Sequence, residues 1–181
     1  MNKTDMPRIE TRLATGSDAQ LIALLGRITF SQTFGHLFRE PQDLLNYCNT
    51  VFSVMKIESS LSEANSVFWL AFVDQLPVGY AKLKCNETSP FVSTERVCQL
   101  QKIYVLKDFL SLGIGLNLQR RLLEKAASMK FETIWLSVLK GNERALKFYT
   151  KSDFKIVGSH RFQIGQENFE FNVMSNTLAV D

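Results

Sequence analysis

The chain has 181 residues, of which 45% are hydrophobic and 11% aromatic, enough to fold as one domain, 1–181, around a sizeable core. Its formal net charge is +3, without the dense Lys/Arg runs that accompany nucleic-acid binding. Met1 to Arg12 holds no apolar leader, and the longest apolar stretch, Val67 to Val73, falls far short of the roughly 20 residues that cross a bilayer, so neither secretion nor a membrane is expected.

In chain order, a strand is expected at Ile9 to Leu13. Ser17 or Asp18 then caps a helix whose Leu21, Leu25 and Ile28 recur at helical spacing. Pro41 opens a second helix with Leu44, Cys48, Val51, Phe52 and Met55 on one face. Val67 to Val73 reads as a strand buried on both faces, and an Asp74-Gln75-Leu76-Pro77 turn leads into a partner at Val78 to Lys84. After a polar break, Arg96 to Val105 forms another strand. The helix expected over Gly113 to Lys130 buries Leu116, Leu122, Leu123, Ala126 and Ala127. A strand at Ile134 to Val138 and a short helix at Asn142 to Lys151 follow. Phe154 to Ile164 and Asn168 to Met174 close the chain as a hairpin about Gly165 and Gln166. This order implies an α/β sheet that is antiparallel early and contains one parallel crossover, with the site near that crossover.

Cys48, Cys85 and Cys98 lack paired spacing, which fits a reducing cytosol better than a disulfide framework. His36 and His160 have no Cys or carboxylate at ligand spacing, so no metal is expected and both read as structural. The informative segment is Ile103-Tyr104-Val105 followed by Leu110-Ser111-Leu112-Gly113-Ile114-Gly115 and an amphipathic helix. Such a strand-turn-helix offers free amides and a helix dipole to a phosphate; it also serves as a plain tight turn. No Gly-Lys-Ser/Thr follows, which excludes a P-loop. The third glycine and the acidic strand end of a dinucleotide fold are also missing.

With its strand, this segment resembles the acetyl-CoA-binding motif of the Gcn5-related N-acetyltransferase (GNAT) superfamily, Arg/Gln-x-x-Gly-x-Gly/Ala. Asn142 to Phe154 resembles that family's second signature, Asn-x-x-Ala-x-x-Phe-Tyr-x-Lys-x-Gly-Phe. The resemblance implies a mixed, mostly antiparallel sheet of six to seven strands flanked by helices, an α/β (α+β) acyl-CoA N-acyltransferase fold. It also implies acetyl-CoA as cosubstrate, bound by Ile103, Tyr104, Val105, Leu112, Gly113, Ile114, Gly115, Asn142, Ala145, Phe148 and Lys151. Tyr149 is implied as the acid that protonates the leaving thiolate, although Phe148-Tyr149 also reads as an aromatic pair closing a helix.

Three positions depart from the pattern. Leu110 replaces the Arg/Gln, Asp153 replaces a glycine, and Gln99 and Gln101 stand where many relatives carry a glutamate base, leaving Glu95 as the nearest carboxylate. Of the cations flanking the motif, Lys107, Arg120, Arg121, Arg144, Lys147 and Lys151, the last two are the candidates for phosphate contact. Thr29 to Phe34 and Pro41 to Tyr47 look like the bacterial PaiA-type enzymes, which implies a polyamine or other small amine as acceptor, with Glu40, Asp43, Glu58 and Glu63 as possible carboxylates. A protein amine, or acyl-CoA binding without turnover, are the alternatives. Transfer is expected by direct attack in a ternary complex, with Cys85 and Cys98 uninvolved. No nucleic acid or membrane partner is expected, and a homodimer is allowed.

Overall fold

The computed structural model describes residues 7–178. Within these residues, seven strands form one sheet in the order β1-β2-β3-β4-β5-β7-β6. They are β1 (Ile9–Leu13), β2 (Ser66–Val73), β3 (Leu76–Cys85), β4 (Val97–Val105), β5 (Thr133–Leu139), β6 (Lys155–Ile164) and β7 (Glu167–Thr177). Every pairing is antiparallel except β4 with β5. Helices α4 (Ile114–Ser128) and α5 (Glu143–Thr150) cover one face, where Leu118, Leu122, Ile134, Leu136 and Phe154 are almost fully buried. The other face carries α1 (Ala19–Phe34), α2 (Pro41–Val51) and α3 (Val54–Ser62) over two further apolar clusters. Among the described residues, no helix is long and apolar enough to cross a membrane and no group of three metal-ligating side chains occurs.

Local chemistry sets the boundaries. Pro41 occupies the first turn of α2, where its missing N–H breaks no hydrogen bond. Asp74 and Gln75, with φ of 47° and 70°, make the two-residue β2–β3 turn, so Leu76 and Pro77 belong to β3 rather than to the turn. At the β6–β7 turn Gly165 has φ of 57°, and the next amide, that of Gln166, donates to Asp43 Oδ2 at 2.8 Å.

Several expectations are corrected. The second helix does not continue to Met55. Phe52 leaves the helical conformation, and Ser53 accepts from Lys56 N at 3.2 Å to start α3, on which Met55 is 80% exposed. The buried face of α1 is Ile22, Ala23, Leu25, Gly26, Thr29 and Phe30, because Ala23 and Gly26 admit close packing; Ile28 points outward. Leu116 is likewise exposed, and Ile114 and Leu118 take its expected place in the core. Asp18 does not cap α1 through its side chain. It accepts from Thr15 N and from both terminal nitrogens of Arg12.

Candidate functional site

β4 and β5 pair only through Val97–Gln99 and Thr133–Trp135, and beyond that point they part. β4 continues to Val105 with β3 along its other edge, so from residue 100 onward its edge toward β5 has no strand partner. A bulge at Gln101 shifts the side-chain alternation there. Ile103 and Val105 consequently turn toward the α4 face, while Lys102 and Tyr104 turn toward the helices of the N-terminal third. Gly79 makes this geometry possible, since a Cβ there would stand 2.7 Å from the Tyr104 carbonyl oxygen.

Leu112 ends a 3-10 turn (Lys107–Leu112) that leads from β4 to α4. Gly113 then adopts φ of 74°, a left-handed conformation costly for other residues, and α4 starts without a side-chain cap. The first amides of α4 are thus left for an outside acceptor, and a Cβ at Gly113 would meet nothing within 4 Å. Ile114 is wholly buried, so its side chain anchors the start of α4 in the core rather than meeting a ligand. Across from this turn, the exposed side of α5 forms a groove lined by Arg144, Lys147, Phe148 and Lys151 with Glu143. Arg144 Nη2 lies 3.5 Å from the Leu110 carbonyl oxygen, tying α5 to the 3-10 turn. Arg120 and Arg121 instead pair with Glu124 along α4.

Asn142 caps α5 by accepting from Ala145 N at 3.1 Å, so its side-chain carbonyl is engaged inside the protein. Tyr149, 9% exposed, packs edge-on to Phe148 and Phe154. Among the described residues its hydroxyl makes no hydrogen bond, and burial raises its pKa, which keeps it protonated. Burial also raises the pKa of Tyr104, with smaller contributions from Tyr47, Tyr149 and Cys48. Asp153 has φ of 64°, which accounts for a glycine at the matching position of the signature and for Asp, one of the residues most tolerant of that conformation, replacing it.

The base candidates do not gather here. Glu95 is exposed and precedes the paired end of β4, away from the opening. Gln99 and Gln101 bond weakly to each other at 3.4 Å and share a face. Glu63 is held by Lys84, Asp43 by Gln166, and Glu40 and Glu58 are exposed on separate elements. A residue that sequence reasoning passed over is Lys102. Its ammonium sits 5.1 Å from the Phe52 ring centre and 5.6 Å from that of Tyr104. Burial first, and Lys82 second, lowers its pKa to about 8.

A profile of the acetyltransferase (GNAT) family matches residues 30–154. An uncharacterized N-acetyltransferase of Lactobacillus delbrueckii subsp. lactis is 26% identical over 143 residues, covering 79% of this chain and 82% of the relative. Another, from Mycobacterium tuberculosis, is 28% identical over 138 residues, with 76% and 84% covered. Among solved structures, the PaiA N-acetyltransferase of Thermoplasma acidophilum in complex with coenzyme A superposes with a TM-score of 0.75 at 18% identity, over 94% of this chain and 99% of that one. The ribosomal-protein-S18-alanine N-acetyltransferase of Escherichia coli gives 0.69 at 14% identity, over 96% of each chain.

Proposed function

The chain belongs to the GNAT family of acetyltransferases, and we propose that its 181 residues form one catalytic domain that moves the acetyl group of acetyl-CoA to a small amine by direct attack. Acetyl-CoA is the cosubstrate. The observation that carries the site assignment is the opening between β4 and β5, with an uncapped helix start on one side and the free hydroxyl of Tyr149 beside it.

In this reading the unpaired edge of β4 at Ile103 to Val105 hydrogen-bonds the amide-bearing arm of the cosubstrate as an added strand. The first amides of α4, with Gly113 and Gly115 keeping side chains out of the way, take its diphosphate. Leu112, Ala145 and Phe148 supply apolar contact, and Lys151 with Lys147 adds positive charge at the groove. Asn142 contributes by fixing α5 and through its remaining amide protons. Tyr149 donates a hydrogen bond to the sulfur as charge develops there.

The acceptor we propose is a small monoamine. The partly exposed rings of Tyr47 and Tyr104, backed by the buried Phe30 and Phe52, form an aromatic wall beside the opening, which suits the alkyl part of a small amine. The polyamine reading rests on the resemblance of residues 29–47. The charge layout does not add to it, since the four candidate acids are dispersed or engaged while Lys82 and Lys102 face each other on this side of the sheet.

Release of CoA from acetyl-CoA, measured with small monoamines, spermidine, spermine and peptides separately and alongside calorimetric binding of acetyl-CoA, tests the proposal. Turnover fastest with monoamines is expected. Turnover confined to spermidine and spermine, or to peptides, would move the acceptor. Binding without release from any amine would remove the catalytic assignment.

A further inference from the structure

The reaction requires that an ammonium lose a proton before its nitrogen attacks, and neither glutamine on β4 can take it. The structure places another proton-accepting pair at the opening. In β5, Ile134, Leu136 and Val138 are buried under α4 and α5, so Trp135, Ser137 and Leu139 project to the opposite face, where Leu139 joins the aromatic cluster. Trp135 is the last residue of β5 to pair with β4, opposite Gln99. Two positions further on, Ser137 is the first side chain of β5 on that face beyond the paired segment.

Ser137 Oγ lies 2.9 Å from His160 Nε2. His160 stands on β6, with β7 between it and β5, and reaches over β7 beside Val173, the strand partner of Ser137. Its ring is stacked on Phe171 at 5.3 Å and 8°, and Phe171 packs into the cluster that holds Tyr104 and Leu139. The imidazole is thereby oriented by a stacked ring and a hydroxyl, at a partly exposed position. With Nδ1 protonated, Nε2 accepts from Ser137, whose oxygen then has lone pairs to offer an approaching N–H.

We propose that Ser137 receives the acceptor's proton and passes its own to His160, a relay that replaces the missing carboxylate. This inference rests on the acetyltransferase reading above. As the ammonium N–H bond breaks, a new O–H bond forms at Ser137 and the original hydroxyl proton moves to Nε2. The nitrogen lone pair forms the C–N bond to the acetyl carbon, the C–S bond breaks, and its electron pair stays on sulfur. The thiolate leaves hydrogen-bonded to Tyr149, which keeps its own proton, sulfur takes up the second N–H proton of the acylated nitrogen, and His160 releases its proton to solvent. Tyr149, in the cluster under α4 and α5, and the Ser137–His160 pair thus lie on opposite faces of the same opening.

Other titratable groups bear on any pH effect. On this face they include Lys102 and Tyr104 of β4, Lys82 and Tyr80 of β3, Tyr47 and Asp43 of α2, and Glu87, whose carbonyl oxygen accepts from Trp135 Nε1. Arg161 and Glu170 alternate to the other face and pair with each other.

The test is steady-state turnover of an alkylamine from pH 6.5 to 9.5 by the wild type, His160→Gln, His160→Ala and Ser137→Ala, with acetyl-CoA affinity measured for each. His160→Gln and Ser137→Ala should lower kcat/KM about 100-fold near pH 7, as loss of a general base does, with acetyl-CoA affinity within twofold of wild type. The deficit should shrink to under tenfold at pH 9.5, where more amine is already neutral, and imidazole should partly restore His160→Ala. A deficit under threefold, one of equal size at every pH, or acetyl retained on Ser137 after CoA is removed would overturn the relay while wild-type turnover keeps the acetyltransferase reading intact. Absence of CoA release by the wild type with every amine would remove both.

Discussion

Tyr149 shows how one side chain carries both packing and chemistry. Its ring is sandwiched in the core by Phe148 and Phe154, which fixes the hydroxyl, and burial holds it protonated. Because its pKa is raised, full proton transfer to a thiolate is uphill, and the group acts by donating a hydrogen bond while charge builds on sulfur. Tyr149→Phe keeps the ring packing and removes only the donor. It should lower kcat roughly 10- to 100-fold, with acetyl-CoA affinity changed less than twofold, as read by single-turnover kinetics and calorimetry. An unchanged kcat would return Tyr149 to a purely structural role.

At the scale of elements, the site depends on where strands separate and where a helix begins. Gly113→Ala would put a methyl group into a left-handed residue, at a cost of roughly 1–2 kcal/mol, and that strain would be relieved by shifting the turn that positions the first amides of α4. Weaker acetyl-CoA binding by about tenfold, with only a modest drop in melting temperature, is the expected result in calorimetry and thermal unfolding. Gly79→Ala acts on the strands themselves. Its Cβ would push on the backbone of Tyr104 and Val105, so a loss of roughly 1–3 kcal/mol in denaturant unfolding is expected, together with reduced turnover. The strands, the parallel crossover and the helix at Gly113 were legible in the sequence because each rests on local periodicity and turn chemistry. The break at Phe52 was not, since residues 44–55 keep a helical spacing straight through it; only Ser53 ahead of Val54 marked the new start. The Ser137–His160 contact was out of reach for a different reason. It joins residues 23 apart on strands separated by a third, and that order is a property of the whole sheet. Lys102 was hidden in the same way, because the bulge at Gln101 decides which face it takes.

Across the whole molecule, the charge that matters most for stability lies inside rather than on the surface. Most described ion pairs are exposed and of small energetic weight. Lys82 and Lys102, by contrast, are opposed across β3 and β4. Lys82 donates to Ser60 Oγ at 2.6 Å and lies over the Phe68 ring, whereas Lys102 lies over the Phe52 and Tyr104 rings and makes no hydrogen bond or ion pair among the described residues. Both have pKa values lowered to about 8 from 10.5, mainly by burial. Between those limits the unfolded chain binds more protons than the folded one, so their contribution to stability rises with pH from about 8 toward 10.5. Below pH 8 both states hold the protons, and the folded protein bears the full cost of the buried Lys82 and half-buried Lys102 cations. Buried phenols and thiols run the other way at higher pH, so the lysine effect is isolated by a difference between variants. Lys102→Met keeps the apolar stem and removes the cation. It should be more stable than wild type by ~1–2 kcal/mol at pH 7, a figure reduced for the part of the amine that remains open to solvent, and that advantage should fade as pH approaches 10. Denaturant unfolding of the two proteins at pH 7, 8.5 and 10 reads the trend directly. A difference that stayed constant with pH would mean that the methionine acts through packing, and that Lys102 is neither destabilised nor poised by its surroundings.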